Sequence, residues 1–193
     1  FSEFGADATM VDFEGHQHHG KSLKDILSFI REQQGVDIDL AAFTVRANQV
    51  SKEAVLADNP MAAPELVQLL SALQQSSVKI GLGTSSEHSR ADFILAQLKI
   101  SQFFQIVVAS EDVAEHKPSP NLFLEVARRF RVEPKRCIVI EDAPNGIAAA
   151  HRAGMKAVAY CEFHGWPDQL SEADLVVKHW RELSLINLEK LLI

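Results

Sequence analysis

The hydrophobic pattern of this chain changes period about a third of the way along. Up to residue 60 the apolar positions recur at helical spacing, and no convincing strand interrupts them. Phe1 to Phe4 read as the end of a helix stopped by Gly5, and Thr9 as the cap of a short helix carrying Val11 and Phe13. Ser22 with Asp25 three residues on is a capping-box signal. Ile26, Leu27, Phe29 and Ile30 then form an apolar stripe ended by Gly35. Leu40, Phe43, Ala47, Val50 and Ala54 give a second amphipathic helix. Residues 1–60 therefore predict a small helical bundle.

From Asn59-Pro60 onward, helical stripes alternate with short continuous apolar runs. Such runs, bounded by turn signals, read as buried parallel strands. They fall at 78–83, 106–108, 137–141, 156–160 and 175–177. Between them lie a helix opened by Pro64 and a second carrying Phe93, Ile94 and Leu98. A third is opened by Pro120, a small-residue helix runs through Ala148-Ala149-Ala150, and a terminal helix carries Leu183, Ile186, Leu188 and Leu191. Strands alternating with helices predict an α/β domain, a parallel sheet with helices on both faces. There is no internal repeat and no low-complexity segment.

Composition narrows this picture. The 193 residues, 47% of them apolar, suffice for one domain or one domain with a small insertion. A net charge of −7 without any basic cluster argues against a nucleic-acid surface. The two cysteines, Cys137 and Cys161, make no disulfide framework, which fits a reduced, cytoplasmic setting. No apolar stretch is long enough to span a membrane, and no signal peptide opens the chain. The chain starts at Phe1 rather than at an initiator Met, so a fragment of a longer translated product is expected.

Three strand ends carry candidate chemistry. The run 137–141 ends in Glu141-Asp142, followed by a turn with Pro144 and Gly146. Open α/β sheets place ligands at the carboxyl ends of their strands. Two hard oxygen donors there suit Mg²⁺, which binds through one or two carboxylates plus substrate phosphate; two solvated acids at a strand end are the alternative. Thr84-Ser85-Ser86 follows one strand and opens a helix, so its amides and hydroxyls could cradle an anion or simply cap the helix. Lys117, in Glu115-His116-Lys117-Pro118-Ser119-Pro120, sits on a turn held by two prolines. It could neutralise a phosphate or a carboxylate nucleophile, or be a solvated loop lysine.

A hydroxyl turn, a Lys-Pro turn and an acidic pair, each after a successive strand and in that order, resemble the haloacid dehalogenase-like superfamily. Within it the chain looks like the β-phosphoglucomutase-like phosphatases with a helical cap. Gly83-Thr84-Ser85-Ser86 matches the second motif, Lys117-Pro118 the third, and Glu141-Asp142 with Gly146, Ala149, Ala150 and Ala153-Gly154-Met155 the fourth. The resemblance implies a Rossmann-like core in three α/β/α layers at 61–193, and a small helical cap domain at 1–60, incomplete at its N-terminus. It implies Mg²⁺-dependent hydrolysis of a small phosphorylated metabolite through an aspartyl-phosphate. Thr84 would hold the phosphate with the amides of Ser85 and Ser86. Lys117 would bridge nucleophile and phosphate. Asp142, partnered by Glu141, would bind the metal. Gly20-Lys21-Ser22 matches a cap loop that faces substrate, so Lys21 or Lys24 would contact its distal part, while His16, His18 and His19 read as polar cap surface.

Two departures stand out. The family opens with a strand bearing Asp-x-Asp-Gly, its nucleophile and its general acid/base. The nearest echo, Asp12-Phe13-Glu14-Gly15, lacks a preceding apolar strand and falls among the cap helices. The nucleophile strand is therefore expected to be absent from this chain. That strand is central in the family, so neighbouring strands would be left with unpaired edges. A longer natural protein, self-association through the exposed sheet, or a rearranged sheet would each resolve this. The second departure is His116, where the family usually has Gly. The other readings are a catalytically inactive remnant binding phosphate or a partner, a phosphomutase, and a haloacid dehalogenase. The last needs no metal, so Glu141-Asp142 argues against it.

Overall fold

Helical spacing in the first third produces helices that meet on one apolar seam. The computed structural model describes residues 1–7, 23–162 and 170–193. It divides into two units, residues 1–59 and 60–193. In the first, a 3-10 turn at Ser2–Phe4 ends at Gly5, whose φ of 81° is left-handed and favours glycine. Helix α1 spans Leu23–Gln34 and α2 spans Leu40–Asp58. Asp39 caps α2 by accepting a 2.7 Å hydrogen bond from the Ala42 amide. Ala6, Leu27, Ile30, Ile38 and Phe43 form the buried seam, with Phe1 and Phe4 packed against it. Arg46 clasps Glu3 through Nε at 2.7 Å and Nη2 at 2.8 Å, a bidentate pair that ties the chain start to α2. Thr9, the residues at 12–19 and Ser22 lie outside the described residues.

In the second unit helices and strands alternate: α3 (Pro64–Gln75), β1 (Gly81–Gly83), α4 (His88–Gln97), β2 (Ile106–Val108), α5 (Asn121–Phe130), β3 (Ile138–Glu141), α6 (Pro144–Arg152), β4 (Lys156–Tyr160), β5 (Leu175–Val177) and α7 (Leu185–Lys190). Among the described residues every pairing is parallel, in two sheets of order β1-β2 and β3-β4-β5. Gly83 lies opposite Val108, and Glu141 opposite Ala159.

Alternation along β4 builds three layers. Ala157, Ala159 and Cys161 join Ala127 of α5 with Ile147, Ala149 and Ala150 of α6 on one face. Val158 and Tyr160 join Leu69 of α3, Val177 and Leu188 of α7 on the other. Beneath β1, Leu70 of α3 packs with Ile80, Leu95, Ile100 and Phe103. Two helices thus contact both sheets, α3 through Leu69, Leu70 and Leu73, and α5 through Phe123, which joins the β3-β4 side while its ring lies 3.3 Å from where a Cβ on Gly83 would sit.

The strand expected over 78–83 is three residues shorter. Val78 to Ile80 lie outside the ladder because Gln105 meets Ile80 instead. Its amide donates to the Ile80 carbonyl at 3.0 Å, and its side-chain oxygen accepts the Ile80 amide at 2.6 Å. The strand expected from 137 begins at Ile138, since the Cys137 amide donates back to Pro134 at 2.8 Å.

Asp174 fastens the amino ends of β4 and β5. It accepts from Lys156 Nζ at 2.7 Å and from the Ala157 amide at 2.8 Å, and meets His151 Nε2 at 3.1 Å. Burial works to raise its carboxyl, but these partners together take it down to about 2. Asp174→Ala should cost about 2–3 kcal/mol in urea unfolding at pH 7, as for a hydrogen-bonded charge. A depressed carboxylate contributes above its unfolded value of 3.8 and loses that contribution as pH falls towards about 2. The gap between parent and variant should therefore close across that window, and a gap constant with pH would refute the assignment.

Candidate active site

The site grows from three strand ends. β1 ends at Gly83 and hands over to Thr84-Ser85-Ser86, which leads into α4. The ladder reaches one residue into the turn, because the Thr84 amide donates to the Val108 carbonyl at 2.9 Å. Thr84 Oγ1 accepts from the Ser86 amide at 3.1 Å, an arrangement that leaves the hydroxyl proton to donate elsewhere. The Ser86 amide, expected to face an anion, is thus turned onto Thr84. Ser85 is exposed.

After β2 the chain makes a 3-10 turn at Ser110–Asp112 and then reaches Lys117, whose peptide with Pro118 is cis. The Lys turn is fixed from both sides. Arg152 Nη1 donates to the Pro118 carbonyl at 2.9 Å, and Ser119 Oγ donates to Glu115 at 3.0 Å. His116 is exposed, and its carbonyl accepts the Ser119 amide at 2.9 Å.

Lys117 does not point to solvent. Its ammonium contacts Glu141 Oε1 and lies 5.0 Å from the Phe123 ring centroid. The Lys117 and Glu141 side chains are 15% and 10% exposed, so each is the other's compensation. Burial raises the Glu141 carboxyl above its ordinary value, opposed by Lys117 and by the Asp142 amide. Gly146 makes room for this, since a Cβ there would overlap the Glu141 carboxylate. Asp142, one residue past β3, is exposed.

The structure therefore brings together Lys117 and Glu141, 24 residues apart, which sequence spacing could not pair. Among the described residues no group of three or more His, Cys, Asp and Glu side chains is arranged to hold a metal ion. Lys21 and the Lys24 side chain lie outside the described residues. Sequence reasoning missed the supports behind the hydroxyl turn. Asp112 accepts from the Ala109 amide at 2.9 Å and meets His88 Nε2 at 2.8 Å and Arg129 at 3.1 Å. Ala109 preceding a Ser-Glu-Asp turn was the only local signal for it.

Comparison with known proteins agrees with this layout. The model of the haloacid dehalogenase-like hydrolases matches residues 1–160, and the chain belongs to that family. It is 47% identical over 79 residues to the fructose-1-phosphate phosphatase YqaB of Escherichia coli, covering 41% of this chain and 42% of that protein. It is 35% identical over 137 residues to the validoxylamine A 7'-phosphate phosphatase of Streptomyces hygroscopicus subsp. limoneus, covering 70% and 64%. The β-phosphoglucomutase structure from Clostridium difficile superposes with a TM-score of 0.76 at 27% identity, over 99% of this chain and 85% of that one. The chain spans between 33% and 64% of the length of the first curated relatives it matches. Among the described residues no helix is long and apolar enough to cross a membrane.

Gly146→Ala should push Glu141 off Lys117 and destabilise the fold by about 1–3 kcal/mol, as overpacking does. Asn145→Ala, at an exposed neighbour, should stay within about 0.5 kcal/mol. Urea unfolding of the two variants checks this. Equal stabilities would mean that the carboxylate has room to yield.

Proposed function

We propose that this chain belongs to a Mg²⁺-dependent phosphatase acting on a small phosphorylated metabolite. The observation that carries the reading is the buried Lys117–Glu141 contact at the end of β3, in a core whose β1 ends in the Thr84 turn. The similar proteins named as phosphatases of fructose 1-phosphate and validoxylamine A 7'-phosphate support a phosphate monoester as the substrate class.

Thr84 holds a phosphate oxygen through its hydroxyl proton, with the Ser85 amide beside it. Lys117, fixed by Arg152 and Glu115 through its turn, places one cation against the transferring group in a water-poor setting. Asp142 is the exposed carboxylate that would hold Mg²⁺, and Glu141 is its neighbour, already charge-compensated by Lys117. An acid pair with hard oxygen donors fits an ion that keeps several waters and takes its remaining ligands from phosphate. When bound, Mg²⁺ neutralises charge developing on the phosphoryl oxygens. Lys21 and Lys24 are the cap residues we assign to the distal part of the substrate.

Covalent transfer also needs a carboxylate in line with phosphorus. We assign it to an Asp-x-Asp strand outside these residues. Among the described residues β1 pairs only with β2, and β3 only with β4. One parallel strand between them would join the two sheets and end beside Lys117.

The test is turnover of a generic aryl phosphate with Mg²⁺. The 193-residue chain should show none above background. Extension by an apolar strand ending in Asp-x-Asp should restore turnover and raise the melting temperature. Lys117→Ala in the extended protein should lower kcat by about 10²–10³-fold, as loss of a charge-stabilising group does, whereas Asp12→Asn should leave it unchanged. Turnover by the short chain that vanishes in Asp12→Asn would overturn the reading. Calorimetry should find Mg²⁺ binding weakly to the short chain and losing that binding in Asp142→Asn.

A further inference from the structure

The hydroxyl turn and the loop that leads to Lys117 are fastened to each other behind the cradle. The Ser110 amide donates to the Ser86 carbonyl at 3.0 Å, and Glu111 Oε1 accepts the His88 amide at 2.9 Å. His88 Nε2 meets Asp112 Oδ2 at 2.8 Å. The first two ties run through backbone on the His88 side. The third is the one made there by a side chain alone.

Asp112 is a fixed anchor. The Ala109 amide, then Arg129, hold its carboxyl down to about 2, so it is ionised and can only accept. An oxygen that only accepts pairs with His88 Nε2 as the donor. Arg129 is itself held by Glu125 at 2.7 Å, and reaches the Val107 carbonyl at 3.3 Å. A chain of fixed groups thus runs from α5 through Arg129 and Asp112 to the first residue of α4.

His88 contributes little to this assembly by burial, because its side chain is 37% exposed. What it contributes is a directional bond between two loops, one carrying Thr84 and the other leading to Lys117. We propose that His88 is a positioning residue for the phosphate cradle, locking the 84–88 turn onto the 109–112 turn and so setting where the Thr84 hydroxyl stands relative to Lys117. The proposal rests on the reading of Thr84 and Lys117 as phosphate-holding groups.

Inorganic phosphate binding to the chain, followed by calorimetry, tests it. His88→Ala should weaken binding about five- to tenfold, the worth of one ordinary, partly exposed hydrogen bond, while the melting temperature moves little. His88→Gln, which can present a donor at a similar reach, should bind within about twofold of the parent. Amide exchange at Ser85 and Ser86 without phosphate should quicken in His88→Ala and recover in His88→Gln. Thr84→Ala is the control for the cradle itself. If the parent binds phosphate and Thr84→Ala does not, but His88→Ala matches the parent, the cradle stands and the positioning role is overturned. Equal weakening in His88→Ala and His88→Gln, in step with melting temperature, also overturns it. A parent that binds no phosphate brings down the cradle and this proposal with it.

Discussion

A carboxylate taken out of water needs a cation or hydrogen-bond donors within reach, and Glu141 sits where that need shapes everything around it. The usual remedy for an unpaired buried acid is to take up a proton. Here Lys117 opposes the upward pull of burial on the Glu141 carboxyl, and its approach has structural conditions. The Lys turn must come close, which Arg152 arranges by holding the Pro118 carbonyl. The first turn of α6 must lack a side chain where the carboxylate approaches, which Gly146 arranges. The ammonium must have a weakly polar neighbour on its other side, and the Phe123 ring of α5 lies 5.0 Å from it. The same Phe123 ring belongs to the core against β3 and β4. Charge placement at the strand ends and packing beneath the sheet are therefore one problem with one solution.

Much of the second unit was legible from local pattern. The runs at 106–108, 156–160 and 175–177 are strands, and consecutive apolar residues suit a strand covered on both faces, as Ala157 to Tyr160 are. The order of the hydroxyl turn, the Lys-Pro turn and the acidic pair was legible because each lies within a few residues of its strand. The start of β1 was not. Whether Val78 to Ile80 join a ladder depends on Gln105, 25 residues away, and no period reports that.

The candidate site shows the same boundary. Thr84, Lys117 and Glu141 could be named from the sequence, but not that the latter two touch, since 24 residues and a helix separate them. Gly146 reads as a turn residue, whereas its structural reason is the approach of a carboxylate. Asp112 carried only the faint signal of its Ser-Glu-Asp turn and His88 none, because each is an ordinary polar residue near a helix start. Tertiary partners decide such positions, and local propensity is silent about them.

Leu73 of α3 packs into the cluster under β1 and also into the cluster under β4 and β5. Phe123 of α5 gives the opposite face an equivalent link. Two sheets without hydrogen bonds between them among the described residues are in this way denied separate fates. Neither can melt without stripping a helix that the other needs. Among the described residues the link between the two sheets is made by side chains of two helices rather than by backbone ladder. A conservative change at Leu73 therefore touches the packing under both sheets at once.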